Sequence, residues 1–236
     1  MPENLTLHKH PSAEPTWKAI VFDFDGTLAE LHLDFREMRS AVNDLASSFN
    51  LQPEVFSHLY ILEMIDSAVC LLAEASPSDG KAFLMAAMKL IEDMEIQAAR
   101  RSSLFPGVKE MLNDLGKQNV SIGIITRNCR HAVSTVFPDY DRYIGAILSR
   151  EMTRYVKPDP RHLTGILSLL NIAPGQALMV GDHPIDVRIG REVGTATAAV
   201  LTGTGGEDEL RKANPDFLLQ RVLEVKDIVF NHHPIT

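Results

Sequence analysis

The 236 residues, 45% of them hydrophobic, can build one sizeable domain or a main domain carrying a smaller insertion. Lys and Arg number 23 against 31 Asp and Glu, a formal charge of −8, and no basic run exceeds a pair such as Arg100 and Arg101; nucleic acid is therefore not an expected partner. The opening MPENLTLHKHPSAEPT lacks the apolar core of a secretory leader, and no later stretch approaches a membrane span, so the expected setting is cytoplasmic with no membrane partner.

In chain order, residues 1–16 read as a mobile arm. The apolar, β-branched run from Trp17 to Phe24 then reads as a buried strand, ending in DFDGT at 23–27. From about Leu31 to Ser103 the texture changes to Leu, Met, Ala and Phe at helical spacing with no convincing strand, which predicts an inserted helical lobe of roughly 70 residues. Gly26 before it, and Pro106 with Gly107 beyond it, mark hinges. After the insertion, short apolar runs at 120–126, 143–148, 177–182 and 195–201 alternate with helical stretches at 107–118, 162–172 and 186–194. That alternation predicts a parallel sheet covered on both faces: an α/β, Rossmann-like core of residues 17–30 and 104–236, with an all-helical cap at 31–103.

Four stations carry chemistry. Asp23 and Asp25 fall at the carboxyl end of the first strand, where open α/β sheets bind ligands, and residues two apart point to one side. Two such carboxylates repel unless a proton or cation relieves them, and oxygen-only ligands favour magnesium. Gly26 permits a tight turn, and Thr27 adds a hydroxyl and an amide. Taken alone, the run fits a capped surface turn equally well. Thr126, Arg127 and Asn128 end a second strand and suit an anion, or simply cap a helix. Lys157 precedes Pro158; Asp159 and Pro160 read as a helix start, which leaves the lysine unexplained. Asp182 ends a further strand with Asp186 one helical turn on, either a site pair or a cap with a dipole-complementing acid.

In this order, DFDGT, Thr126, Lys157-Pro158 and GDHPID at 181–186 resemble the four motifs of the haloacid dehalogenase-like (HAD) hydrolase superfamily, from Trp17 to about Leu201. The PGV segment at Pro106 to Val108 is similar to the phosphoglycolate phosphatase-like branch, which also carries an inserted helical cap. One departure is Tyr155 and Val156, where the family often has small residues before the lysine. The resemblance implies a magnesium-dependent phosphatase acting on a small phosphomonoester, with phosphoglycolate one possibility, through an aspartyl-phosphate. Asp23 would be the nucleophile and Asp25 the general acid and base. Magnesium would be held by Asp23, the main-chain carbonyl of Asp25 and Asp182. Lys157 and Thr126, with phosphate contacts around Gly26, Thr27, Arg127 and Asn128, would stabilise the transferring group, and Asp186 would orient Lys157 or metal-bound water. The alternatives are a phosphomutase acting on a sugar phosphate and a non-catalytic HAD-fold binding protein. Dehalogenation is disfavoured because it does not need the second aspartate.

Substrate choice is expected in the cap, where Arg36 and Arg39 could meet a carboxylate or second phosphate or lie on a solvated helix face. The Met- and Leu-rich stretch at 55–96 reads as cap core. His183 is expected to line the site. His8, His10, His232, His233, Cys70 and Cys129 receive no role. The chain is expected to work as a monomer or homodimer.

Overall fold

The computed structural model describes residues 17–30 and 32–231, so the expected N-terminal arm, the cap's first residue Leu31 and the four terminal histidines lie outside the described residues. Six parallel strands form the main sheet: β1 (Ala19–Phe22), β4 (Ser121–Ile125), β5 (Ala146–Leu148), β6 (Ala177–Gly181), β7 (Ala196–Val200) and β8 (Phe217–Leu219). Their order is β5-β4-β1-β6-β7-β8. The fold is α/β with a helical insertion, as the alternation predicts. Alternate residues of β1 feed opposite cores. Ile20 and Phe22 pack with Met111 and Leu112 of α4 (Val108–Lys117) and Val229 of α9 (Val225–Asn231). Ala19 and Val21 pack with Ile166 of α6 (Arg161–Leu170) and Ile189 of α7 (Pro184–Val193). Both faces being covered explains why these strands read as continuous apolar runs. The outermost strand, β8, lies beyond the stretches that read as strands in the sequence, and α5 (Arg130–Val136) and α8 (Glu207–Ala213) complete the core.

Between β1 and α4 the chain makes an excursion through α1 (Phe35–Ser48), α2 (Ile61–Ala75) and α3 (Pro77–Ala99). Asp34 caps α1 by accepting the N–H groups of Arg36 and Glu37, and Ser76 with Pro77 starts α3. Met38, Val42, Met64, Ile65, Phe83 and Ile91 close a separate apolar core. A short ribbon flanks the expected insertion, with only Ser103 of its four residues inside the 31–103 bounds. Ala29–Glu30 (β2) and Ser103–Leu104 (β3) pair antiparallel, Ala29 with Leu104 and Glu30 with Ser103. Neither dipeptide carries a strand pattern, because the pairing depends on two segments separated by the whole insertion. The long α3, about 34 Å at 1.5 Å per residue, reaches the main body, where Ile96 and Ala99 pack on Cys129 and Ala132. No described helix is long and apolar enough to cross a membrane.

Candidate active site

The chain leaves β1 for β4 and β5 on one side and returns to β6 on the other, so the topological switch falls at β1. Asp23, Thr126 and Asp182 are the residues that immediately follow β1, β4 and β6, and the fold gathers them at one edge of the sheet. They line a cavity of about 520 Å³ roofed by the helical insertion, with Leu33, Met38 and Ile61 among its apolar walls.

Asp23 is buried, and its Oδ1 accepts both the Phe24 N–H at 2.7 Å and the Lys157 Nζ at 2.8 Å. Lys157 also donates to Asp186 Oδ1 at 2.7 Å. Burial alone would lower the ammonium's pKa, but Asp186 and Asp23 outweigh it and raise it above the ordinary lysine value. A cis peptide joins Lys157 to Pro158, and the Lys157 N–H donates to Nδ1 of the buried His162 at 3.1 Å. Asp186 also closes α7's N-terminus by accepting the His183 N–H at 3.2 Å; burial lifts its carboxyl, Lys157 opposes, and the result is about 6.

Asp25 sits half-buried in a different environment. Thr126 Oγ1 donates to its Oδ2 at 3.2 Å, and Asn128 Nδ2 reaches both oxygens at 3.2 and 3.1 Å. Burial first and the negative charge of Asp23 second push its pKa to about 7, against the pull of those donors.

Asp182 is held by a loop that carries no strand or helix signal. Thr204 donates its N–H to Oδ2 at 2.7 Å, and Thr27 Oγ1 donates to Oδ1 at 3.3 Å. The approach is close enough that a Cβ on Gly203 would lie 1.9 Å from Oδ2. Gly26, at φ +78°, fits the same crowded turn; a Cβ there would meet the same oxygen at 2.7 Å. Burial, then Asp23 and Asp186, raise Asp182 to about 8.

Oxygen atoms of Asp23, Asp182 and Asp186 lie within 4.8 Å of one another. Lys157 pairs with two of these three buried carboxylates, Asp23 and Asp186, and an all-oxygen donor set of this kind can offset its mutual repulsion by holding a divalent cation. Asp186 joins this group beside the expected Asp23 and Asp182, and the Asp25 carboxylate, distinct from the main-chain carbonyl expected as a ligand, is occupied by Thr126 and Asn128.

The other expected site residues fall at the same edge with specific partners. The Thr27 N–H returns to the Phe24 carbonyl and the Gly26 N–H to the Ala29 carbonyl. Asn128 also donates its N–H to Thr126 Oγ1 at 3.0 Å. The Arg127 guanidinium turns toward the insertion, paired with both oxygens of Glu63 at 2.8 Å, and also donates to the Lys157 carbonyl. His183 lines the cavity, its ring edge-on to Tyr60 at 5.9 Å; burial and then Lys157 depress its pKa. Of the two cap arginines, Arg36 is exposed, whereas Arg39 lines the cavity and donates to the Leu59 carbonyl at 2.5 Å. Cys129 is buried and its Sγ caps α5 by accepting the Ala132 N–H at 3.3 Å. Sequence reasoning missed Thr202, Gly203 and Thr204, although the Gly- and Thr-rich run after β7 carried a signal. It also missed the nearly buried pair of Glu95 and Arg150, whose partners are 55 residues apart.

The model of the haloacid dehalogenase-like hydrolase family matches residues 20–200. The chain belongs to that family and is a hydrolase of it. It is 29% identical over 230 residues to a haloacid dehalogenase-like hydrolase domain-containing protein of Arabidopsis thaliana, covering 96% of this chain and 87% of the relative. It is 28% identical over 217 residues to the N-acetylmuramic acid 6-phosphate phosphatase of Pseudomonas putida, covering 90% of this chain and 96% of that one. The pyrophosphatase PpaX of Bacillus cereus is 34% identical over 124 residues, about half of each chain at 52% and 57%. Among solved structures, a predicted phosphoglycolate phosphatase from Haemophilus somnus superposes with a TM-score of 0.63 at 20% identity, covering 90% of this chain and 98% of the other, a likeness of fold.

Proposed function

We propose that this HAD-family hydrolase is a magnesium-dependent phosphatase of small phosphomonoesters that works through an aspartyl-phosphate on Asp23. The observation that carries the reading is the unequal pair of acids at the end of β1: Asp23 is ion-paired with Lys157, and Asp25 is pushed to about 7. Two neighbouring carboxyls with divergent environments divide naturally into a nucleophile and a proton carrier. Asp23 Oδ2 attacks phosphorus in line, and the bond to phosphorus forms as the bond to the leaving oxygen breaks. Asp25, near half-protonated at neutral pH, gives its proton to the leaving alcohol; it then takes one from a water whose oxygen bonds to phosphorus as the Asp23 oxygen–phosphorus bond breaks, releasing phosphate and restoring Asp23. Lys157, held between Asp23 and Asp186, offsets negative charge on the transferring group, and Thr126 and Asn128 hold Asp25 in place. Asp23, Asp182 and the Asp25 main-chain carbonyl would hold the magnesium, which supplies electrostatic relief between nucleophile and phosphate, with Asp186 as support.

We read residues 31–103 as the cap that selects the alcohol part of the substrate. Its face on the cavity is largely apolar. Among the described residues, Arg39 is the cavity-lining Arg or Lys without a carboxylate partner, since Arg127, Arg150 and Lys157 are each paired. One unpaired guanidinium over an apolar wall favours a small ester bearing a single carboxylate, such as phosphoglycolate, over one bearing a second phosphate. The test is phosphate release from a panel of phosphomonoesters by wild type and Asp23→Asn, with magnesium or EDTA. Turnover lost about a thousandfold or more in the folded variant is expected; substantial residual turnover would remove Asp23 as nucleophile. An isomerised phosphosugar without phosphate release would point to a mutase.

A further inference from the structure

Arg127 occupies an unusual position in the network. Its backbone lies between Thr126 and Asn128, the two residues that hold Asp25. Its guanidinium donates to the main-chain carbonyl of Lys157. Both of its reaching ends are in turn fixed by the helical insertion. The guanidinium meets Glu63, in the first turn of α2, through two 2.8 Å bonds and lies 5.4 Å from the centre of the Tyr60 ring. The Arg127 carbonyl accepts from Arg150 at 2.9 Å, and Arg150 is clamped by Glu95 of α3. The Arg150 N–H also bonds the Asn128 carbonyl at 3.2 Å.

We propose that Glu63 is a positioning residue: by holding Arg127 it couples docking of the helical insertion to the placement of Lys157 on one side and of Asp25 on the other. The coupling acts on the phosphatase machinery described above and rests on that reading for its catalytic consequence. The pair is 24% and 30% exposed, so Glu63 contributes little as a stability device. Its bidentate fork instead fixes the direction of a guanidinium whose Nη1, shared with Glu63, also grips the lysine segment. Glu95 does the same for the Arg127 carbonyl from a buried site, where removing one partner would leave Arg150 charged and unpaired. Glu63 is therefore the cleaner residue to perturb.

The experiment combines kinetics of the full-length enzyme with amide hydrogen exchange. Glu63→Gln is expected to lower kcat on a phosphomonoester substrate by about 10- to 100-fold, the range for a misplaced catalytic group. Glu63→Asp, which keeps the charge but shortens the reach, should fall between it and wild type. In a double-mutant cycle with Arg127→Met, the double variant should be no slower than Arg127→Met alone, because Glu63 acts through that arginine. Exchange should quicken at both 124–129 and 155–158 in Glu63→Gln. Additive kinetic losses, or kcat in folded Glu63→Gln within about twofold of wild type, would overturn the coupling. So would unchanged exchange at both segments, whatever the turnover. Faster exchange at both segments in a protein whose wild type releases no phosphate from any ester would count against the phosphatase reading and leave the coupling standing.

Discussion

Lowering the pH from about 7 toward 4 sets the burial of His162 against its affinity for a proton. The residue is fully buried. Because Nδ1 accepts the Lys157 N–H, the ring proton belongs on Nε2, where it donates to the Leu148 carbonyl at 3.0 Å. A second proton on Nδ1 would face an N–H donor. Burial, and then the charge of Lys157, depress the pKa from 6.5 to about 4. The folded pKa therefore lies below the unfolded one, and the unfolded chain binds the extra proton across the window between them. The contribution is complete above about pH 6.5, declines as pH falls, and is lost below about 4. At about 1.4 kcal/mol per pH unit, the depression is worth roughly 3 kcal/mol. Urea unfolding of wild type and His162→Gln across this range isolates it, because the other titrating groups are common to both. Near neutrality the variant should be less stable by about 1–3 kcal/mol, for the lost or misplaced hydrogen bond. That gap should change in the variant's favour by roughly 3 kcal/mol by about pH 4. Stability curves that stay parallel throughout the window would refute the reasoning.

Gly203→Ala should displace Asp182, because the new methyl group would lie 1.9 Å from its Oδ2. A loss of about 1–3 kcal/mol in thermal unfolding, typical of overpacking, should accompany a marked fall in turnover, and full activity would remove Asp182 from the machinery. Stripping the protein with EDTA should abolish phosphate release, with recovery on adding magnesium. Calorimetric magnesium binding should weaken in Asp182→Asn, and turnover undiminished in EDTA would exclude the metal's role. Arg39→Gln should lower kcat/KM for phosphoglycolate roughly tenfold more than for p-nitrophenyl phosphate, the value of one charge-assisted contact; equal losses on both would reject Arg39 as a carboxylate reader.

Five of the six main strands are legible in the sequence because a parallel strand buried on both faces must be apolar at successive positions, as Ala19 to Phe22 are. The edge strand at Phe217–Leu219 is three residues long and only partly buried, too little to stand out. The acids at 23, 25, 182 and 186 were legible as a set because strand ends converge at one edge of such a sheet. Their individual partners were not. Nothing in the order of residues shows that Arg127, at the cavity wall, would pair with Glu63, 64 residues away, or that Asp25 would be gripped by Asn128. Nor could the pattern show that His162, one of nine histidines, would brace the main chain of Lys157. Periodicity reports which face is buried, whereas polar pairing between distant segments depends on packing that the pattern does not encode.

The two-residue ribbon formed by Ala29–Glu30 and Ser103–Leu104 brings the ends of the insertion side by side. The main body therefore meets some 70 intervening residues as a loop already closed at its neck. The entropy of closing a loop rises only as the logarithm of its length, about 0.6 kcal/mol for each doubling. Lengthening, trimming or replacing the helices beyond the neck thus places little thermodynamic burden on the six-stranded sheet. What a change beyond the neck must preserve is local: the contacts of Glu63 and Glu95 with Arg127 and Arg150, and the packing of Ile96 and Ala99 on Cys129 and Ala132.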